Sequence, residues 1–399
     1  MISKQDILDR ATEWQLQPGV VEKDYVLGWL LAATTFHPVT KKYWVFKGGT
    51  SIKKCYFETY RFSEDLDFSL LPASPYTQAE ILQILNELTQ SVNEMSGIMF
   101  AADLTKVLIR HDKLNRPTFQ GKISYQGPLG QIRSWPTIIF DITNNEPIIR
   151  PPVHRGIIHS YPDELPKNNG VLSYSLCELL AEKTRALYER TRPRDLYDII
   201  YLLNNQRESV DLTELYEIFQ KKCAAKNLSV PTAESLYKQI QTDEELVADW
   251  EQMLAHQLPM LPQLTDFIDR LPRAIDWITP GILEAVPILN SVPAGSGEII
   301  ENPTGIHYWG EGIPLEKIRF AGINRLLVEF LYSGQQRLVE PYSLRRASTG
   351  NLLLYAREVR TGKMKAFNVA KIINLQFTKT TFTPRFQIEI GAHGKLNIS

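Results

Sequence analysis

Two neighbouring segments constrain this 399-residue chain more than any other feature. Tyr43-Trp44-Val45-Phe46 is a short apolar run that ends on Gly48-Gly49, and Asp65-Leu66-Asp67-Phe68-Ser69-Leu70 alternates polar with apolar. The first predicts a buried strand entering a glycine turn, with a helix over Thr50 to Tyr56. The second predicts a half-buried strand, in which residues two apart share a face, so Asp65 and Asp67 project together. Glycines at a helix entrance let backbone N–H groups approach a phosphate, and Thr50 and Ser51 add hydroxyl donors. Gly48, Gly49, Thr50 and Ser51 are therefore the candidate phosphate cradle. Two carboxylates on one face repel each other, and a hard divalent cation, Mg²⁺ or Mn²⁺, relieves that repulsion. Asp141, a lone acid within Ile138-Ile139-Phe140-Asp141-Ile142, is the candidate third ligand; the alternative is a solvent-facing acid near a strand end.

The rest of the chain surrounds this pair with helices. Residues 5–35 read as helical with a break at Gln17-Pro18-Gly19, residues 78–97 as an amphipathic helix, and Phe119 to Tyr125 and Pro136 to Ile142 as strands. Leu172 to Arg190 and Arg194 to Leu203 read as helices parted at Thr191-Arg192-Pro193, and 212–270 as a locally acidic helical stretch. Pro287 to Pro314 is rich in Gly and Pro and reads as a linker or extended loop. Residues 316–391 read as strands with turns at Ser333-Gly334, Thr349-Gly350 and Thr361-Gly362. The expected class is α+β, with a core over 1–205, a helical extension over 206–285, a linker over 286–315 and a small β-rich module over 316–399.

Charge is divided unevenly. Residues 316–399 hold 14 Lys and Arg against 5 Asp and Glu, and the preceding residues hold 30 against 40. A basic terminal module suits either a polyanion partner or docking on an acidic body. Three scattered cysteines argue against a zinc site or a disulfide framework. No run approaches the ~20 apolar residues of a membrane helix, and the start of the chain lacks the pattern of a signal peptide. No membrane is expected as a partner, and the expected location is the cytoplasm.

A second block is Glu182-Lys183-Thr184-Arg185-Ala186-Leu187-Tyr188-Glu189-Arg190, followed by Arg194-Asp195-Leu196-Tyr197-Asp198. By itself it fits a solvated, salt-bridged helix face. Together with Phe46-Lys47-Gly48-Gly49-Thr50-Ser51 and Arg61-Phe62-Ser63-Glu64-Asp65-Leu66-Asp67-Phe68, it resembles the AbiEii/AbiGii toxin family of nucleotidyltransferases, over about residues 18–205. The resemblance implies a polymerase-β-like core that uses a nucleoside triphosphate as substrate. It implies that Lys183 contacts nucleotide phosphates and that one of Asp195 and Asp198 is required for activity. It implies a bacterial toxin–antitoxin or phage-defence setting, a cognate antitoxin, and an RNA acceptor such as a tRNA 3′ end. Val21-Glu22-Lys23-Asp24-Tyr25 also matches, and its expected role is packing on the core.

Val328-Glu329-Phe330, Gly334 to Arg346, Asn351 to Ala356 and Lys365 to Ile372 resemble a WYL domain, which implies a small Sm-like barrel. Leu-Leu-Tyr stands in place of the usual Trp-Tyr-Leu run. Arg337, Arg345, Arg346, Arg357 and Lys371 are the candidate phosphate grips of this module, with a lid or dimerisation role as the alternative. The leading expectation is transfer of a nucleoside monophosphate to a hydroxyl, with RNA as acceptor. The others are transfer to a small molecule or protein, and a nucleotide-binding regulator whose WYL-like module binds DNA.

Overall fold

The computed structural model describes residues 1–58, 60–131, 134–167, 170–207, 210–279, 289–293, 298–299 and 315–390. The chain forms two compact units, each assembled from separated segments. The first comprises Met1–Thr12, Leu16–Glu189 and Val210–Val230, and the second Glu13–Gln15, Arg190–Ser209 and Pro231–Ser399.

In the first unit, helices α1 (Lys4–Trp14) and α2 (Pro18–Thr34) flank the predicted Pro18-Gly19 break. Pro18 sits in the first turn of α2, where its missing N–H costs nothing. Most of α2 is buried from Val21 onward, which is why its apolar residues run on without a polar face. A short helix α3 (Thr40–Tyr43) leads into strand β1 (Trp44–Lys47). Helix α4 (Gly48–Ser51) continues as a wider turn over Ile52–Tyr56. Strand β2 (Asp65–Leu70) and helix α5 (Gln78–Ser96) follow. A Thr77–Glu80 capping box starts α5, and left-handed Gly97 ends it.

Six further strands complete an eight-stranded mixed sheet: β3 (Met99–Phe100), β4 (Lys106–His111), β5 (Pro117–Gln126), β6 (Thr137–Thr143), β7 (Val153–Arg155) and β8 (Val171–Ser173). The order is β3-β5-β6-β2-β1-β8-β7, with β4 also paired to β5. β2 is parallel to β6 and β1 to β8; the other pairings are antiparallel. Phe119, Ile123 and Tyr125 of β5 are buried, with Gly121 between them. A Cβ at Gly121 would stand 2.4 Å from the Leu85 side chain, so this glycine lets α5 lie close on the sheet. The alternate residues Thr118, Gln120, Lys122, Ser124 and Gln126 are only half-buried.

Helix α6 (Leu176–Arg190) leaves β8, and α8 (Leu212–Ala224) returns to the first unit after an excursion of the chain. The first unit thus takes in residues beyond 205, the end of the expected core. Glu178 and Glu182 of α6 pair with Lys222 of α8 at 2.9 and 3.2 Å, and Lys226 pairs with Glu146 at 3.2 Å. Buried ion pairs draw α8 out of the supposed extension.

The second unit contains α7 (Pro193–Gln206), α9 (Ala233–Gln241), α10 (Glu244–Leu254) and α11 (Leu264–Ala274). Phe267 stacks on Tyr197 and meets Trp250 at a tilt, with ring centroids 5.4 and 5.1 Å apart. Residues 316–324, expected as strand, form with Leu315 the helix α12 (Leu315–Asn324), fixed to α7 by a Tyr197–Asn324 hydrogen bond of 2.9 Å. Strands β10 (Leu326–Tyr332), β11 (Gln335–Arg346), β12 (Leu352–Glu358), β13 (Met364–Asn368) and β14 (Ile373–Thr381) follow. Their antiparallel order is β13-β12-β11-β10-β14, and β9 (Glu298–Ile299) pairs with β11. Ser333 and Gly334 both adopt positive φ, as a two-residue hairpin of matching twist requires. A bulge at Pro341–Ser343 bends the long β11. Most of the expected linker over 286–315 lies outside the described residues.

Candidate active site

The register of the first sheet sets four polar side chains in a row: Lys47 of β1 opposite Asp67 of β2, Asp67 beside Asp141 of β6, and Asp141 opposite Gln120 of β5. Residues in register share a face, so the row belongs to one side of the sheet. Asp65, two residues before Asp67, lies on the same side. The Gln120 amide donates to Asp141 Oδ1 at 3.2 Å.

Gly48 lies directly against this row. Its φ is +78°, and a Cβ there would stand 2.1 Å from Asp67 Oδ2. Only glycine combines that backbone conformation with so close an approach. A Cβ on Gly49 would stand 2.5 Å from Arg61 Nη2, so a buried guanidinium covers the second glycine. Thr50 Oγ1 donates to the Asp65 carbonyl at 2.5 Å, and Ser51 Oγ to the Gly48 carbonyl at 3.0 Å. Both hydroxyls therefore shape the turn and fasten it to the acidic strand, leaving the backbone N–H groups as its contribution to an anion.

The electrostatics follow from that crowding. Burial, then Asp141, then Asp65 push the Asp67 carboxyl up to about 7, while Lys47 and Lys183 act in the opposite direction. Burial also raises Asp141, against the Gln120 hydrogen bond and the charges of Lys47 and Arg110. Lys183, half-buried on α6, is near enough for its charge to act on Asp67. Lys47 is buried, donates to Glu146 and lies 3.1 Å from Glu182, and these acids hold its ammonium well above the usual lysine range despite burial. Glu146 also pairs with Arg185 at 3.3 Å, and its carboxyl is held well below the usual range. Sequence reasoning assigned no role to Lys47, Glu146 or Glu182. The signal for the first was a lysine closing an apolar strand; Glu146 had none.

The donors fit a hard cation: three carboxylates on one face, two of them with raised pKa because they crowd in a half-buried place. Among the described residues no three His, Cys, Asp or Glu side chains are gathered tightly enough to cage an ion. The acids thus share a face without closing around a point.

Val21–Tyr25 does more than fill the core. Asp24 pairs with Lys54 at 2.7 Å, and Tyr161 donates to the same carboxylate at 2.9 Å. That buried contact ties α2 to the helical turn that begins at Gly48. Asp195 and Asp198 are both buried on α7 in the second unit, and Asp195 pairs with Arg190 at 3.0 Å.

The five basic candidates of the terminal sheet do not form one exposed set. Arg337 pairs with Glu358, Arg345 with Glu389 and Arg357 with Glu340, at 2.6, 2.7 and 2.7 Å. Arg345 is itself buried, whereas Arg346 and Lys371 are exposed.

A family model described as the AbiEii nucleotidyl transferase toxin of a type IV toxin–antitoxin system matches residues 29–278, more than half of the chain. The chain belongs to the AbiEii nucleotidyltransferase toxin family. It is similar to MenT4, a nucleotidyltransferase toxin of Mycobacterium tuberculosis, at 16% identity and a TM-score of 0.42, covering 70% of this chain and 90% of that one. It is similar also to JHP933 of Helicobacter pylori, at 17% identity and a TM-score of 0.44, covering 66% and 93%. No curated protein matches. The AbiEii match takes in the acidic row, α6 and α7, and ends before the terminal sheet. Among the described residues no helix is long and apolar enough to cross a membrane.

Proposed function

We propose that this AbiEii-family enzyme transfers a nucleoside monophosphate from a nucleoside triphosphate to a hydroxyl of an RNA acceptor in the cytoplasm, and that a cognate antitoxin restrains it. The observation that carries the reading is Asp67 seated on the positive-φ Gly48, with Asp141 beside it and Lys47 and Lys183 acting on it. The triphosphate lies along the Gly48–Ser51 backbone, and Lys183 meets its phosphates as a point charge. Asp65, Asp67 and Asp141 would hold Mg²⁺, which supplies charge neutralisation at the reacting phosphate. The acceptor oxygen forms a bond to the α-phosphorus, the bond to the β-phosphate bridging oxygen breaks, and pyrophosphate leaves. The hydroxyl proton passes to a carboxylate of the row; Asp141, whose raised pKa makes it a better base than a solvated aspartate, lies at the Gln120 end of the row, away from Lys47. Lys47, locked between Glu146 and Glu182, keeps positive charge next to Asp67 and so favours its ionised form. Asp195 and Asp198 are assigned support of α7, with Asp198 the more exacting position because it is buried mid-helix.

The test is incubation of the full chain with each labelled triphosphate, Mg²⁺ and total RNA, with products sized on a gel. Label should enter RNA. Asp67→Ala, Asp65→Ala and Gly48→Ala should each lower transfer by about 100-fold or more, the scale of losing a charge-stabilising group. Label in a protein or small molecule alone would refute the RNA acceptor. Undiminished transfer by Asp67→Ala, or none by the wild type, would refute the site and favour a regulator that only binds nucleotide.

A further inference from the structure

The acidic row has two unlike ends. At one end lie Gly48, already assigned to the triphosphate, and Lys47, held by Glu146 and Glu182. At the other end the row runs through Gln120 to β4, where Lys106 and Arg110 are exposed. Leu108 of β4 is opposite Gln120, so Lys106 and Arg110, two residues to either side, share the face of Asp67 and Asp141. Arg110 Nη2 lies 3.4 Å from Gln120 Oε1, and its charge reaches Asp141. Lys106 stands directly opposite Lys122 of β5 on the same face. Lys106 and Arg110 are exposed and Lys122 is half-buried, and among the described residues none of the three makes an ion pair. Ser124 and Gln126 continue the polar face along β5.

Two lysines directly opposite each other on paired strands repel and weaken the pairing. Elsewhere in this unit Lys47, Lys54, Lys222 and Lys226, all buried or half-buried, are each paired with acids. Three basic side chains without such partners, lined up beside the catalytic acids and facing solvent, are the arrangement that a bound polyanion would neutralise.

We propose that Lys106, Arg110 and Lys122 on β4 and β5 form the track that holds the phosphate backbone of a nucleic-acid acceptor strand, delivering its terminal hydroxyl to the Asp141 end of the row. The inference rests on the transfer reading above for the direction of the strand, and on the sheet register alone for the track itself. It also relocates the acceptor grip: the terminal sheet spends Arg337, Arg345 and Arg357 on its own glutamates, whereas this face keeps its cations available.

The experiment measures binding of a fluorescein-labelled, single-stranded RNA of random sequence to the full chain by anisotropy, without nucleotide, across a series of KCl concentrations. Each phosphate contact to a single strand contributes about 0.7 to the slope of log affinity against log salt. The triple variant Lys106→Ala, Arg110→Ala, Lys122→Ala should bind RNA more weakly, with a slope smaller by about 2. Its binding of a fluorescent triphosphate should match the wild type and its Tm should be no lower, since Lys106 and Arg110 are exposed and removing the Lys106–Lys122 repulsion does not weaken the sheet. The pair Arg346→Ala, Lys371→Ala should leave the slope unchanged. A triple variant with wild-type RNA affinity and slope, a slope carried by the Arg346/Lys371 pair, or a wild type that binds no RNA would each overturn the track. Loss of RNA affinity in the triple variant with no transfer by the wild type would sustain the track and refute the transfer reading. Wild-type transfer with an unaltered triple variant would do the reverse.

Discussion

Asp67 stands under more electrostatic pressure than an ordinary strand aspartate, and that pressure sets a pH dependence. Its carboxyl is pushed up to about 7 by burial, Asp141 and Asp65, whereas an unfolded chain holds such a group near 4. Between about pH 4 and 7 the folded protein therefore keeps a proton that the unfolded chain has released. Stability must fall as pH rises through that window and level off above it; the three acids titrate together, so the fall is spread over the row. In chelator, the Tm of the wild type relative to Asp67→Asn should decline from pH 4.5 to 7.5. At pH 7.5, Mg²⁺ should raise the Tm of the wild type in proportion to the logarithm of its concentration and leave Asp67→Asn unmoved. Parallel pH profiles for the two proteins would show that Asp67 is not under the strain assigned to it. At this scale the sequence was most informative where the chemistry is local. Asp65, Asp67 and Gly48 fall within twenty residues, and strand alternation alone puts the acids on one face. Lys47 was not legible, because its partners Glu146 and Glu182 are 99 and 135 residues away.

Elements that contact one another over short sequence distances were read correctly, and those held by distant charges were not. The Pro18 break, the Thr77 capping box and the Ser333-Gly334 hairpin each carry their own signal. β8 has three residues and meets β1 at the single register pair Phe46↔Ser173, too little pattern to separate it from the helix that follows. α12 was masked by the strands after it. The terminal sheet was read as a basic surface from its net charge, but charge counting cannot see that Glu340, Glu358 and Glu389 each hold an arginine. α8 is the clearest case of an element placed by tertiary charge. Lys222, almost fully buried, lies 2.9 Å from Glu178, 3.2 Å from Glu182 and 4.5 Å from the Tyr174 ring centroid. Truncating it takes the cation from buried Glu178 and one of two cations from Glu182, and removing one partner of a buried pair costs about 3–5 kcal/mol. Lys222→Ala should therefore lower Tm by on the order of 10 °C, while Lys221→Ala, exposed on the same helix, should change stability by less than about 0.5 kcal/mol. Equal, small effects from both would mean that α8 is held by its apolar face alone.

At the scale of the whole molecule, the two compact units do not follow one another along the chain. The first unit takes α8 after the chain has already supplied α7 to the second. This interleaving has a consequence for any fragment cut where composition suggests a boundary. A chain ended at residue 205 keeps the acidic row, Gly48 and Lys183, and would pass for a complete core. It loses Lys222 and Lys226, the cations that meet Glu178, Glu182 and Glu146. Those carboxylates are built into the frame: Glu178 also accepts from the Ile149 and Arg150 N–H groups at 2.8 and 2.9 Å, and Glu146 and Glu182 hold Lys47 next to Asp67. Without α8 the buried Glu178 must protonate, take up water or pull the strands apart, and Glu146 and Glu182 each lose a cation; each course loosens the sheet that carries the site. The fragment 1–205 should melt without a cooperative transition by circular dichroism, while the full chain melts cooperatively. A sharp transition for 1–205 within a few degrees of the full chain would show that the acids are satisfied without α8, and that the boundary suggested by sequence composition is also the physical one.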